Sequence, residues 1–291
     1  AQLREAAGGS ADTAPLSGET SRGLYGTELE GSVSRLEQFS QCAFAHFASY
    51  GLRLMPRELF EVTRADLGTM FHGAMEELSR EVRKDREITW ESLAEGQGAQ
   101  LADRCVDAWA EQYGLAALHR DARTEYQISR VKRIMRRTVQ TAARQIAAGT
   151  FTPKAFEVSF RMLRETLENE AVTLPLEEGG KLLLSGRIDR VDTCETDREV
   201  LVRVVDYKSG TVRFDPEMLY YGLQLQLMVY LDAAMAMQKR FSEQKETVPA
   251  GIFYYHMQDP FLEKEEGMTQ EEIDRAMQKK LRLDGVVNSR K

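Results

Sequence analysis

The chain is poor in cysteine. Cys42, Cys105 and Cys194 are the only three in 291 residues, and they lie far apart. With no C-x-x-C pair, there is no local zinc or thioredoxin signature, and an odd, sparse set argues against a disulfide framework and fits a reducing cytoplasm. No segment approaches the roughly 20 consecutive apolar residues of a membrane span. The polar N-terminus also lacks the apolar stretch of a secretory signal. A cytoplasmic protein with no membrane partner is therefore expected. The G-x-x-x-x-G-K-[ST] phosphate loop is missing, which leaves a nucleotide-hydrolysing motor poorly supported. Positive charge is in deficit as well: 39 Lys and Arg face 46 Asp and Glu, for a net charge of −7. That argues against whole-surface attraction to nucleic acid, but it leaves room for a local basic patch beside a site that itself needs carboxylates.

What is present is a globular composition, 42% hydrophobic and 29% charged, long enough for a sizeable core. Residues 1–30 are rich in Gly, Ser, Thr and Ala and read as a linker or loose arm. The chain starts with Ala and this arm, so a piece of a longer protein is expected. Residues 31–150 read as helical. Ser34 caps a first helix bearing Leu36, Phe39 and Phe44 and ending near Gly51. A second starts at Asp66, with Leu67, Phe71, Ala74, Leu78 and Val82 at helical spacing and His72 and Glu76 on a neighbouring polar face. A third covers about 91–113. The fourth, about 122–148, carries an apolar stripe of Ile128, Val131, Met135, Ala142 and Ile146. Beside it runs a basic stripe of Arg130, Arg133, Arg137 and Arg144, which reads either as a solvated face or as a contact for a phosphate backbone.

After Gly149 the pattern becomes extended. Strands are expected at 155–162, 181–191 and 200–208, then a helix over 217–240 and a last strand at 251–257. A charged segment, 261–291, follows and looks cut short, with a helix near 269–282. Three strands, a crossover helix and a fourth strand make one mixed sheet, so residues 151–260 are expected to form an α/β core.

The chemistry concentrates at two strand ends. Asp206 and Lys208 in Val-Val-Asp-Tyr-Lys point to one side of their strand. Asp189 ends the apolar run Gly-Arg-Ile-Asp-Arg, and a hairpin brings it beside Asp206. Two adjacent carboxylates repel, and a divalent cation such as Mg²⁺ relieves that repulsion. Such a cation activates water toward a phosphodiester, while Lys208 orients the water or meets developing charge. Taken alone, D-x-K is more often a surface ion pair worth at most about 1 kcal/mol.

In combination, these segments resemble the RecB-like branch of the PD-(D/E)XK nuclease superfamily. The resemblance implies a restriction-endonuclease-like core: a mixed central sheet flanked by helices, here with a helical N-terminal region. Gly68-Thr69-Met70-Phe71-His72 looks like that branch's histidine motif, implying His72 as a metal ligand with Asp189 and Asp206. Gln226 and Tyr230 match its Q-x-x-x-Y motif and are implied to position DNA or the lysine. Phe156-Glu157-Val158 resembles the preceding acidic strand, with Glu157 a further site candidate, and Ile188 stands where proline is usual before the first Asp.

A narrower resemblance, through Leu24-Tyr25-Gly26, Ser32-Val33-Ser34-Arg35-Leu36-Glu37 and Gln41-Cys42-Ala43-Phe44, is to the nuclease domain of the AddB family. It implies a Mg²⁺-dependent deoxyribonuclease, with Mn²⁺ as a substitute, that acts as an exonuclease on a DNA single strand. The implied partner is an AddA-type helicase–nuclease subunit, and the implied role is processing of double-strand breaks for recombinational repair. Arg130, Arg133 and Arg137 are the expected DNA contacts. That family holds a 4Fe-4S cluster through one early and three late cysteines. Cys42 matches the first position, but no cysteine follows Cys194, so no cluster is expected within this chain. The competing expectation is an idle nuclease fold that serves as a DNA-binding or partner-binding scaffold.

Overall fold

The computed structural model describes residues 17–54, 64–85, 87–112, 122–167, 172–176, 179–242, 244–263 and 267–289. Its helices are α1 (Gly18–Tyr25), α2 (Val33–Gln41), α3 (Ala43–His46), α4 (Arg64–Lys84), α5 (Trp90–Ser92), α6 (Gly98–Gln112), α7 (Ala122–Ala147), α8 (Phe160–Leu167), α9 (Pro216–Tyr220), α10 (Gln226–Phe241) and α11 (Gln270–Lys280). The strands are β1 (Glu28–Ser32), β2 (Thr152–Ser159), β3 (Thr173–Pro175), β4 (Lys181–Ser185), β5 (Arg187–Glu195), β6 (Glu199–Lys208), β7 (Glu246–His256) and β8 (Asp284–Val287).

The central sheet has the order β2-β5-β6-β7-β8. β5 and β6 pair antiparallel as a hairpin, and β6 and β7 pair parallel across the α10 crossover. β6 carries Val200, Val202, Val204 and Val205, all buried, because helices cover both faces of the sheet. On one face α4, α6 and α7 pack Phe71, Leu78, Val106, Val131 and Met135 against Val205, Tyr207 and Tyr255. On the other, α8 and α10 pack Phe160, Leu163, Leu227 and Ala234 against Val191, Val204 and Ile252. This is the expected mixed sheet between helices, and the apolar stripes read from the sequence of α4 and α7 lie on their buried sides.

Several boundaries differ from the expectations. The reading of 1–30 as an arm falls partly outside the described residues, but Gly18–Tyr25 is a helix capped by Ser17. Glu28–Ser32 is a strand, parallel to β4 in register Leu29↔Leu182, so pairing overrides its weak strand composition. The expected strand at 181–191 divides at Gly186: β4 joins the small sheet β1-β4-β3, and β5 joins the central one. The strand at 155–162 ends at Ser159, and Phe160 opens a helix. The helix at 217–240 is broken between Tyr220 and Gln226, with Gly222 at φ +73° supplying the left-handed turn. The first helix breaks at Cys42 and resumes through α3 and a π-helical turn to Gly51, with Phe39 and Phe44 exposed instead of facing a core. β8, only four residues long, pairs with β7.

Candidate active site

Asp189 is the third residue of β5, and Asp206 lies two residues before the end of β6. The hairpin register runs up to Arg190↔Val205, and one further step sets the two aspartates opposite each other. The backbone fixes Asp189 directly, because Tyr207 N–H donates to its Oδ2 at 2.6 Å. Both carboxylates are buried, at 5% and 2% exposure.

α4 brings His72 over this hairpin. Its Nδ1 lies 3.3 Å from Asp189 Oδ1 and 3.7 Å from Glu157 Oε1. Glu157 comes from the edge strand β2, where its backbone leaves the extended region for φ +51°. Phe156 and Val158 pair with β5 on either side of it, and the turn between them aims the carboxylate inward. His72, Glu157 and Asp189 each offer a ligand atom, all within 4.8 Å of one another.

The electrostatics of this arrangement favour a cation. Burial, joined by the charge of Asp189, pushes the Asp206 carboxyl up to about 7 against the pull of Lys208. Burial likewise raises Glu157. For His72, burial works downward, but the close carboxylates of Asp189 and Glu157 outweigh it and hold the imidazole up to about 10. The half-buried His72 imidazole, held toward its charged form, thus offsets the carboxylates where a metal would. Glu157 Oε1 is buried without a hydrogen-bond partner, which fits a donor set short of one cation. Two carboxylates and an imidazole suit a hard or borderline divalent ion.

Lys208 Nζ lies 2.7 Å from Asp206 Oδ2 and donates to Gln226 Oε1 at 2.6 Å. Gln226 Nε2 in turn donates to Tyr230 Oη at 2.8 Å. The Q-x-x-x-Y pair therefore forms a chain that ends on the lysine. Burial, with Asp206 nearby, raises the Tyr230 phenol and keeps it protonated.

His72, Glu157, Asp189, Asp206, Lys208, Gln226 and Tyr230 all line one cavity of about 670 Å³. The structure brings Glu157 into the tightest cluster with His72 and Asp189 and leaves Asp206 closer to Lys208. Arg187, Glu76, Arg80 and Trp109 share the same cavity. None of these four was expected at the site from the sequence, although Arg187 stands in the same Gly-Arg-Ile-Asp run as Asp189. Arg187 bonds Glu76 at 2.8 Å and lies 3.5 Å from Glu157. Behind the hairpin, Asp192 is fully buried and takes Arg190 through both carboxylate oxygens, at 2.6 and 2.7 Å, and Arg203 at 2.8 Å.

The basic stripe of α7 lies apart from this cavity. Arg133 and Arg137 both pair with Asp259, and Arg136 with Asp103. These arginines border a separate depression of about 250 Å³. Arg130 is exposed. Cys42 is exposed, with its Sγ accepting from Ala45 N–H, while Cys105 is buried. Among the described residues, no helix is long and apolar enough to cross a membrane.

Known proteins are similar to this chain in sequence. It is 40% identical over 276 residues to the B-type subunit of the ATP-dependent helicase/deoxyribonuclease of Lachnoclostridium phytofermentans, covering 95% of this chain and 22% of that protein. It is 37% identical over 266 residues to the protein of the same name from Clostridium tetani, covering 91% and 23%. The chain thus spans under a quarter of the length of these relatives. The sequence profile of the PD-(D/E)XK nuclease superfamily matches residues 30–285. With that profile running through His72, both aspartates and Lys208, the chain belongs to the PD-(D/E)XK nuclease superfamily.

Proposed function

We propose that this chain is a divalent-metal-dependent deoxyribonuclease domain, with Mg²⁺ as its ordinary ion and Mn²⁺ as a substitute. The observation that carries this reading is the convergence of His72, Glu157 and Asp189 within 4.8 Å of one another, in the cavity that also holds Asp206 and Lys208. His72, Glu157 and Asp189 hold the ion, with Asp206 at its edge. When bound, the ion polarises a phosphoryl oxygen and lowers the pKa of water. Lys208 presents its ammonium toward the scissile phosphate, where negative charge builds. Gln226 accepts from Lys208 and fixes its rotamer, and Tyr230 fixes Gln226. Asp206 holds Lys208 close, at 2.7 Å.

The relatives are named as helicase/deoxyribonuclease subunits. By analogy the substrate is one DNA strand cleaved from an end, in a cytoplasmic assembly with an AddA-type subunit that processes double-strand breaks. The residue set supports hydrolysis over the scaffold alternative, since a scaffold has no use for a lysine held between a carboxylate and an amide. DNA contact through Arg130, Arg133 and Arg137 requires substrate phosphates to take the last two from Asp259; Arg187 and Arg80 lie nearer the chemistry. The cluster residues implied for an iron–sulfur centre are confined to Cys42 in this chain.

Calorimetric titration with Mn²⁺ tests the site. The parent chain binds, and His72→Ala and Asp189→Ala each weaken binding at least about tenfold, while Lys208→Ala binds as the parent does. Unchanged affinity in both ligand variants removes the proposed centre.

A further inference from the structure

We propose that Glu37, on the N-terminal helix α2, is a positioning residue for Lys208, acting through the first turn of α10. This rests on the nuclease reading above and adds a residue and a control point to it.

A helix leaves its first N–H groups without intrahelical partners, and the residue before it normally supplies a side-chain oxygen. In α10 that residue is Leu225, which makes no side-chain cap. The missing acceptor comes from far away in sequence. Glu37 Oε1 accepts from Leu225 N–H at 2.7 Å and from Gln226 N–H at 3.1 Å. A carboxylate at this position also meets the positive end of the helix dipole. The same junction approaches α2 closely: a Cβ added at Gly222 would lie 3.0 Å from Ser40 Oγ, one turn along α2 from Glu37. The break between α9 and α10 thus lies against α2, and the Glu37 hydrogen bonds tie it there.

The first residue of the capped turn is Gln226, and its side chain accepts from Lys208 Nζ. The path from Glu37 to the catalytic ammonium is therefore one helix turn and one amide. Loss of the cap frees the Gln226 backbone, its amide is left to Tyr230 alone, and Lys208 keeps Asp206 and the Tyr254 ring but loses a fixed acceptor. Metal binding does not pass through this path, because His72, Glu157 and Asp189 come from α4, β2 and β5. α2 thus reaches the lysine through Glu37 and supplies none of the metal candidates, so a displacement of this helix is felt at Lys208 and not at the metal site.

The test compares Glu37→Ala and Glu37→Gln with the parent chain. Three readouts are used: Mg²⁺-dependent cleavage of single-stranded DNA, Mn²⁺ affinity, and hydrogen exchange at the Leu225 and Gln226 amides. Glu37→Ala is expected to lower kcat about tenfold, as loss of supporting shells commonly does. KM and Mn²⁺ affinity should stay within about twofold, the mark of an interaction felt in the transition state. Exchange at both amides accelerates. Glu37→Gln keeps an oxygen acceptor and recovers most of kcat, as neutral caps do. Undiminished kcat in Glu37→Ala despite faster exchange reduces Glu37 to a structural cap and overturns the proposal, and so does unchanged exchange. Should the parent chain fail to cleave DNA, the nuclease reading fails by itself. The Lys208 side-chain NMR resonance then decides: a shift in Glu37→Ala supports the coupling, and an unmoved resonance removes it.

Discussion

At Glu157 the backbone sits at φ +51°, a conformation that costs an L residue about 1–2 kcal/mol. The return on that strain is a buried carboxylate beside His72 and Asp189. Glu157→Gly should therefore exceed Glu157→Ala in stability by about 1 kcal/mol, since only glycine adopts this φ freely. Both should lose metal affinity. Urea denaturation of the two variants reads the first effect, and equal midpoints contradict it. Protonation sets a second expectation. Asp206, raised to about 7, favours the folded metal-free chain at low pH, a contribution lost as pH climbs toward 7. His72, held up to about 10, contributes stability present below its ordinary value and lost as pH climbs toward 10. Metal must displace these protons, so Mg²⁺ affinity rises from about pH 6 and goes on rising toward about pH 10. Calorimetry in buffers of differing ionisation enthalpy should also record proton release, and a pH-independent affinity would contradict the assignment. Most of these residues were legible in the sequence because each motif lies along one strand or helix: Asp206 and Lys208 two apart, Gln226 and Tyr230 four apart. Glu157 was legible only as an acid on a strand; its turn inward was not.

Among elements, α4 and α6 meet at a place where no side chain fits. A Cβ on Gly73 would fall 1.9 Å from the Trp109 indole nitrogen. Gly73→Ala must displace Trp109 or tilt α4, costing about 1–3 kcal/mol and moving His72, its neighbour. Chemical denaturation together with Mn²⁺ affinity reads both effects, and an alanine variant as stable as the parent contradicts the packing. The β5–β6 hairpin is held from behind by Asp192 between Arg190 and Arg203. Asp192→Ala leaves two guanidinium groups, one of them buried, without their carboxylate, for a loss of about 3–5 kcal/mol. A loss below about 1 kcal/mol, the scale of an exposed pair, would contradict the buried-pair reading. The basic stripe of α7 shows what local pattern cannot carry. Arg133 was visible, but its partner Asp259 stands 126 residues away. The same holds for Glu37 and α10, whose contact spans 188 residues. Period and spacing reveal faces; they do not reveal which distant groups those faces meet.

Across the whole molecule, the sheet order β2-β5-β6-β7-β8 gathers residues from β2, α4, the hairpin and α10 into one cavity, and the net charge of −7 leaves DNA attraction to local cations. The central claim is that this cavity hydrolyses DNA with a divalent metal, and end-labelled single-stranded DNA tests it most directly. Incubated with Mg²⁺, the parent chain should shorten the label, EDTA should stop it, and Asp206→Ala and Lys208→Ala should each reduce the rate at least about a hundredfold. Cleavage that persists in both variants, or no cleavage by a parent that binds Mg²⁺ and DNA, would contradict the account.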